Sequence, residues 1–95
     1  MTKLEVISKI SEKTGIDKSD VQLTIENFFH VVQEALLENE IVHFKGFGKF
    51  INKKRSKKIA RNLSDNTAIV LEAHYVPTLK ISKEFIDKIK STIKL

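Results

Sequence analysis

Cysteine is absent from the 95-residue chain, which excludes disulfides, thiolate metal sites and cysteine nucleophiles and fits a reducing cytoplasm. No apolar run approaches the roughly 18 residues of a membrane-spanning helix. Met1–Lys13 has carboxylates where a secretory signal needs an apolar core, so the chain is expected to be soluble, unprocessed and without a membrane partner. The residue sets that carry catalysis are missing as well. No Ser/His/Asp arrangement, paired active-site carboxylates or glycine-rich phosphate loop is visible, and Gly46-Phe47-Gly48 lacks the rest of a dinucleotide fingerprint. His30, His43 and His74 lie far apart and share no metal-ligand spacing. The expectation is no enzyme, no cofactor, no metal and no small-molecule substrate. Acidic residues are absent from one whole stretch: between His43 and Arg61 stand Lys45, Lys49, Lys53, Lys54, Arg55, Lys57, Lys58 and Arg61, with no Asp or Glu among them.

The charge is segregated. Met1–Glu40 holds four lysines against eight carboxylates, a net of −4, while Ile41–Leu95 holds thirteen Lys and Arg against four carboxylates, a net of +9. The overall charge of +5 says little by itself, but this distribution is the footprint of a phosphate-binding surface. Only two of the basic residues are Arg, and the richness in Lys, Ile and Asn suggests an A·T-rich genome.

Thr2 and Glu5 make the Thr-x-x-Glu pattern of a capping box, and Leu4, Ile7 and Ile10 follow at helical spacing until Gly15, which predicts a helix over Lys3–Thr14. Asp17 can cap a second helix, with Asp20 in its first turn, running to about Glu38. Its stripe of Val21, Ile25, Phe28, Phe29, Val32, Leu36 and Leu37 is too wide to be covered by the short first helix. Ile41–Lys45 and Phe47–Asn52 read as strands joined at Gly46, a tight turn expected to put Phe44, Phe47 and Phe50 on a common side. The limb Lys53–Arg61 has almost no large apolar residue, Asn62–Thr67 is a turn-forming cluster, and Ile69–Tyr75 alternates as a strand. Together they predict a protruding, mobile hairpin of roughly 25 residues, because a lone two-stranded hairpin is only marginally stable in water. Pro77 suits a strand edge or turn, and Ser82 caps a last helix carrying Phe85, Ile86, Ile89 and Ile93 on one side. Without the arm about 70 residues remain, near the limit for a single core, so a twofold partner covering helix two and the Phe cluster is expected.

The basic limb with a turn at its tip suits duplex DNA. Lys53, Arg55 and Lys57 alternate on one strand face, with Lys54 and Lys58 on the other, so an arm in a groove could address both flanking backbones. Three landmarks then carry a resemblance. Phe44 with Gly46-Phe47-Gly48-Lys49-Phe50 resembles the Phe-x-Gly-Phe-Gly-x-Phe signature of HU/IHF proteins. Arg61-Asn62 resembles the Arg-Asn of that family's arm tip, and Val76–Lys83 the segment leading from the arm into the final helix. Their spacing fits without a gap, and the likeness covers essentially the whole chain.

The resemblance implies an α+β fold and an intertwined dimer with a helical base, a small antiparallel sheet saddle and two protruding β-hairpin arms that bend DNA through the minor groove. The whole chain, 1–95, would be one such domain: a helical dimerisation part of about 1–40, sheet and arm over about 41–80, and a C-terminal helix of about 82–95. Carried over by position, Lys53, Arg55, Lys58, Arg61 and Asn62 line the arm, joined by the added charge of Lys57. Lys80 and Lys83 reach phosphates from the body, and Lys3 is a further candidate on helix one. Phe28, Phe29, Val32, Phe44, Phe47 and Phe50 are expected in the dimer core. Leu63 stands where the family's wedge is proline; leucine also unstacks base steps, so it is the expected wedge. Asn66 and Ala60 replace two usual glycines. The implied partners are double-stranded DNA, bound largely without sequence specificity, and a second copy or close homologue, in a nucleoid-associated cytoplasmic setting. Two other readings remain open: an RNA or single-strand binder using its aromatics as a stacking platform, and a dimeric scaffold whose arm holds an acidic protein.

Overall fold

A threonine hydroxyl starts the first helix. In the computed structural model, which describes residues 1–62, 64 and 67–95, with Asn62 by its backbone only, α1 spans Lys3–Thr14. Thr2 Oγ1 accepts the Glu5 N–H at 3.3 Å and its hydroxyl faces Glu5 Oε1 at 3.4 Å, so the carboxylate meets the threonine side chain. Gly15 ends the helix by donating its N–H to the Ser11 carbonyl at 2.9 Å. The second helix, α2, covers Lys18–Leu37 and begins beside Asp17, whose carbonyl takes the N–H groups of Asp20 and Val21. It stops where Asn39 enters the left-handed region at φ 58, a conformation asparagine tolerates better than most residues.

The chain forms two compact units, residues 1–35 and 36–95. In the first, Ile7, Val21 and Val32 are buried; among the described residues of the whole chain they are the only apolar side chains that are. Phe28 and Phe29 meet edge to face, ring centroids 5.8 Å apart, and stay 41% and 48% exposed. Of the stripe read from α2, Val21 and Val32 are thus buried and Ile25 and Leu36 half-buried, while Phe28, Phe29 and Leu37 are left exposed within one chain.

The second unit is built on antiparallel strands: β1 (Val42–Phe44), β2 (Gly48–Arg55), β3 (Lys58–Asn62), β4 (Thr67–Leu71) and β5 (His74–Ile81), followed by α3 (Lys83–Thr92). One sheet has the order β1-β2-β5 and a second pairs β3 with β4. The strand expected over Ile69–Tyr75 is interrupted at Glu72-Ala73, opposite a matching interruption at Ser56-Lys57. Arg55 pairs with His74 before the break and Lys58 with Leu71 after it, so the register is unchanged and no bulge intervenes. The rising limb also has more apolar contact than its composition suggests, because Ile59 lies directly across from Val70.

The glycine turn works differently from the expectation. Gly46, at φ 81, sits in a turn closed by the Phe47 N–H on the Phe44 carbonyl at 3.0 Å. It does not gather three rings into one cluster. Phe44 meets Phe50 edge to face at 6.3 Å, while Phe47 turns to Phe85 of α3 at 6.0 Å. Phe44 and Phe50 share a face because their strands pair Val42 with Phe50 and Phe44 with Gly48; Phe47 belongs to the loop and escapes that alternation. Ser82 anchors α3 to the same loop. Its Oγ accepts the Phe85 N–H at 3.2 Å and donates to the Gly46 carbonyl at 2.9 Å, and its own N–H donates to the Phe47 carbonyl at 2.9 Å. The end of α2 is held by Asn52, whose Nδ2 donates to the Leu36 carbonyl at 2.6 Å and to Asn39 Oδ1 at 3.2 Å.

Candidate nucleic-acid interface

Strand alternation sorts the basic residues. Along β2, Phe50 and Asn52 share one face with Leu79 and Pro77 across the ladder. The opposite face carries Lys49, Ile51, Lys53 and Arg55 on β2, paired with Lys80, Thr78, Val76 and His74 on β5. Lys53, Arg55 and Lys80 are thus brought onto one surface, with Lys53, Arg55, Lys80 and His74 exposed. Lys57 lies in the two-residue break, Lys58 and Arg61 lie on β3, and Asn62 is the last residue of β3. Lys83 opens α3, next to Ser82. The wedge candidate Leu63 and the turn residue Asn66 fall outside the described residues.

Lys3 belongs to the other unit and is already engaged. Its Nζ lies 3.2 Å from Glu26 Oε1, the one ion pair among the described residues. The Gln22 side-chain amide donates to the same oxygen at 3.1 Å. That amide, and then the Lys3 ammonium, hold the Glu26 carboxyl below the ordinary glutamate value. The pair is exposed and uses one of the three ammonium donors, so Lys3 keeps donors for a phosphate, with its charge partly answered by Glu26.

The arm beyond the break carries its charge on a shaft with almost no support. All described side chains of β3 and β4 are exposed, and Ile59, Ile69, Val70 and Leu71 show 47–73% of their surface. Cross-strand pairs such as Ile59–Val70 contribute roughly 0.2–1 kcal/mol each, and the backbone ladder does the rest. At the break an open depression of about 330 Å³ is lined by Arg55, Ser56, Lys58, Leu71, His74 and Val76. There His74 Nδ1 approaches the Glu72 carbonyl at 2.8 Å. A carbonyl only accepts, so Nδ1 carries the hydrogen of this bond.

Among the described residues, none of Lys49, Lys53, Arg55, Lys80 or Lys83 has a carboxylate partner. Like charges directly opposite destabilise a strand pair, and Lys49 stands directly opposite Lys80. A surface assembled this way is complementary to a row of fixed anions. Sequence reading overlooked His74 and Tyr75, which the register sets opposite Arg55 and Lys54 at the base of the arm. Their signal exists only once the two limbs, some twenty residues apart, are aligned.

The comparisons agree with this geometry. The family model described as "Bacterial DNA-binding protein" matches residues 1–90. The chain is similar to the DNA-binding protein HU of Clostridium pasteurianum, 36% identical over 89 residues, covering 94% of this chain and 98% of that protein. It is also similar to integration host factor subunit alpha of Pseudoalteromonas atlantica, 32% identical over 92 residues, covering 97% and 94%. Among solved structures, the chain from an Anabaena HU–DNA cocrystal superposes with a TM-score of 0.86 at 26% identity, covering 95% of this chain and 98% of that one.

Proposed function

The chain belongs to the bacterial DNA-binding protein family, that of HU and integration host factor, and from this premise we propose that it is an architectural protein which bends duplex DNA. Two copies form an intertwined dimer, and each contributes one arm. The dimer covers the apolar surface a single chain leaves open: Phe28 and Phe29 on α2, Phe47 at the turn, and Phe85, Ile86 and Ile89 on α3 are all 39–48% exposed. Val32, Phe44 and Phe50 extend the same core. An apolar surface of this extent on a small chain calls for a partner.

The observation that carries the reading is the arm itself, two antiparallel ladders that keep a single register across their break, from Gly48–Ile81 out to Asn62–Thr67, without an acid on the rising strands. Lys53, Arg55, Lys57, Lys58, Arg61 and Asn62 meet the backbones flanking the minor groove, with Lys80, Lys83 and Lys3 acting from the body. Leu63 wedges between base pairs at the tip. Minor-groove donors and acceptors distinguish little beyond A·T from G·C, so any preference comes from DNA deformability and binding is largely general. The protein acts in the bacterial cytoplasm, associated with the nucleoid.

The test is a titration of a random duplex, end-labelled for fluorescence transfer, at two salt concentrations, with Leu63→Ala alongside. Six to eight phosphate contacts per dimer give a salt slope of roughly −5 to −7. Binding should shorten the end-to-end distance, and Leu63→Ala should bind but bend less. Equal bending by Leu63→Ala retires the wedge, and no salt-sensitive duplex binding refutes the function.

A further inference from the structure

One cross-strand pair of the arm is apolar where the ladder does not require it. Ile59 of β3 stands directly opposite Val70 of β4, and the next pair toward the tip on the same face is Arg61 with Ala68. Lys58, Ala60, Ile69 and Leu71 lie on the other face. The register is unchanged through the break, so the first face continues the one that carries Lys53 and Arg55 on β2. Ile59 and Val70 are thus set between two arginines, Arg55 toward the body and Arg61 toward the tip. Ile59 is 73% and Val70 49% exposed, so neither belongs to a core. A Thr–Thr pair would serve the ladder about as well and would suit water better. The side chains of Ile59, Val70 and Ala68 present carbon alone, with neither a donor nor an acceptor.

We propose that the Ile59–Val70 pair makes the arm selective for deoxyribose, so that the protein takes duplex DNA in preference to duplex RNA. Arg55 and Arg61 are about 20 Å apart along the strand. With both charges on phosphates, the surface between them meets what lies between the two backbones, the sugar edges and base edges of the groove. In DNA the sugar edge is carbon and hydrogen, and Ile59 and Val70 pack against it. The minor groove of A-form RNA displays 2′-hydroxyls instead. Against Ile59, Val70 and Ala68 such a hydroxyl loses its water and finds no side-chain partner, which lowers affinity roughly fivefold or more. The cations meet both kinds of backbone alike, so the discrimination belongs to the apolar pair and not to the charge. The alternative is structural, with the pair only stiffening the arm, and it would favour both duplexes by the same factor.

This inference rests on the duplex-binding function, and the test separates the two. Full-length wild type, Ile59→Val and the double variant Ile59→Thr with Val70→Thr are titrated onto a DNA duplex and an RNA duplex of the same sequence, between about 50 and 200 mM salt. Val and Thr share a shape and both favour strands, so Ile59→Val and the double variant differ only by hydroxyls in place of methyls. The shape of the RNA groove acts on all three proteins alike, and the ratio of the two affinities isolates the side chains. Wild type should prefer DNA and Ile59→Val should keep that preference. The double variant should lose roughly fivefold of it, with an unchanged salt slope because no charge is altered. A double variant whose ratio matches wild type, even with both affinities lowered, marks the pair as structural and overturns the selectivity. So does an Ile59→Val variant that loses as much preference as the double variant, or a wild type that binds both duplexes equally. In each of these cases the function stands. Failure of wild type to bind duplex DNA removes the function and this inference together.

Discussion

Gly48→Ala should be among the most damaging single-methyl changes in the sheet, and the reason is space. A Cβ built on Gly48 would lie 2.5 Å from the Lys80 carbonyl oxygen, 3.3 Å from its carbonyl carbon and 3.2 Å from Ile81 Cα, whereas ordinary contact begins near 3.4 Å. All three atoms are backbone, so no rotamer change relieves the overlap. The β2 and β5 strands must part by up to about an ångström at the Gly48–Ile81 pair. Overpacking of this kind costs about 1–3 kcal/mol, and weakening one ladder hydrogen bond adds about 0.5–1.5 kcal/mol. The total of about 2–4 kcal/mol is a large share of a small domain's stability and corresponds to a melting point lower by roughly 10–20 °C. Gly46→Ala is the internal control. Its Cβ meets nothing closer than Glu84 Oε2 at 3.5 Å, but φ is 81, so the penalty there is backbone strain of about 1–2 kcal/mol. Thermal melts followed by circular dichroism at one protein concentration give the comparison, since dimerisation makes the midpoint concentration-dependent. A Gly48→Ala loss below about 0.5 kcal/mol, or one smaller than that of Gly46→Ala, would show that the close strand approach does not limit the fold.

Two further outcomes follow from local bonding. Ser82→Ala removes the α3 cap on Phe85 and the bond to the Gly46 carbonyl, and should cost about 1–2 kcal/mol in urea unfolding with an unchanged m-value; Ser82→Thr, which keeps the hydroxyl, should recover most of it. The bond from Gln22 and the Lys3 ammonium hold the Glu26 carboxyl below the ordinary glutamate value in the folded state, so its contribution to stability is complete above that ordinary value and is lost as pH falls through the lowered folded one. Gln22→Ala should raise the Glu26 midpoint in an NMR titration, and an unmoved midpoint would contradict the assigned cause.

What could be read in advance was local. Thr2 with Glu5, Gly15 and Ser82 mark helix ends through bonds spanning three or four residues, and the structure has α1 over the expected residues and the Ser82 cap in place. The basic limb and its turn-forming tip were legible for the same reason, since charge and turn chemistry are properties of a short window. The break at Ser56-Lys57 and Glu72-Ala73 was not, because Ile69–Tyr75 keeps a strand's alternation straight through it. Nor was the role of Phe47, which shares its period of three with Phe44 and Phe50 yet packs on a helix almost forty residues later.

By itself, then, the sequence determined the helices, the existence and sign of the arm, and the excess of apolar side chains that a single chain leaves uncovered. Each is a consequence of composition or of contacts within a few residues. Only the tertiary structure decided the register, and with it which cations share a face: that Lys49 stands between His43 and Lys80, that Arg55 faces His74, and that Gly48 touches the backbone of Lys80. A ladder pairs residues up to 33 positions apart, and a shift of one residue would send every side chain to the other face. That choice is made by the packing of the whole sheet.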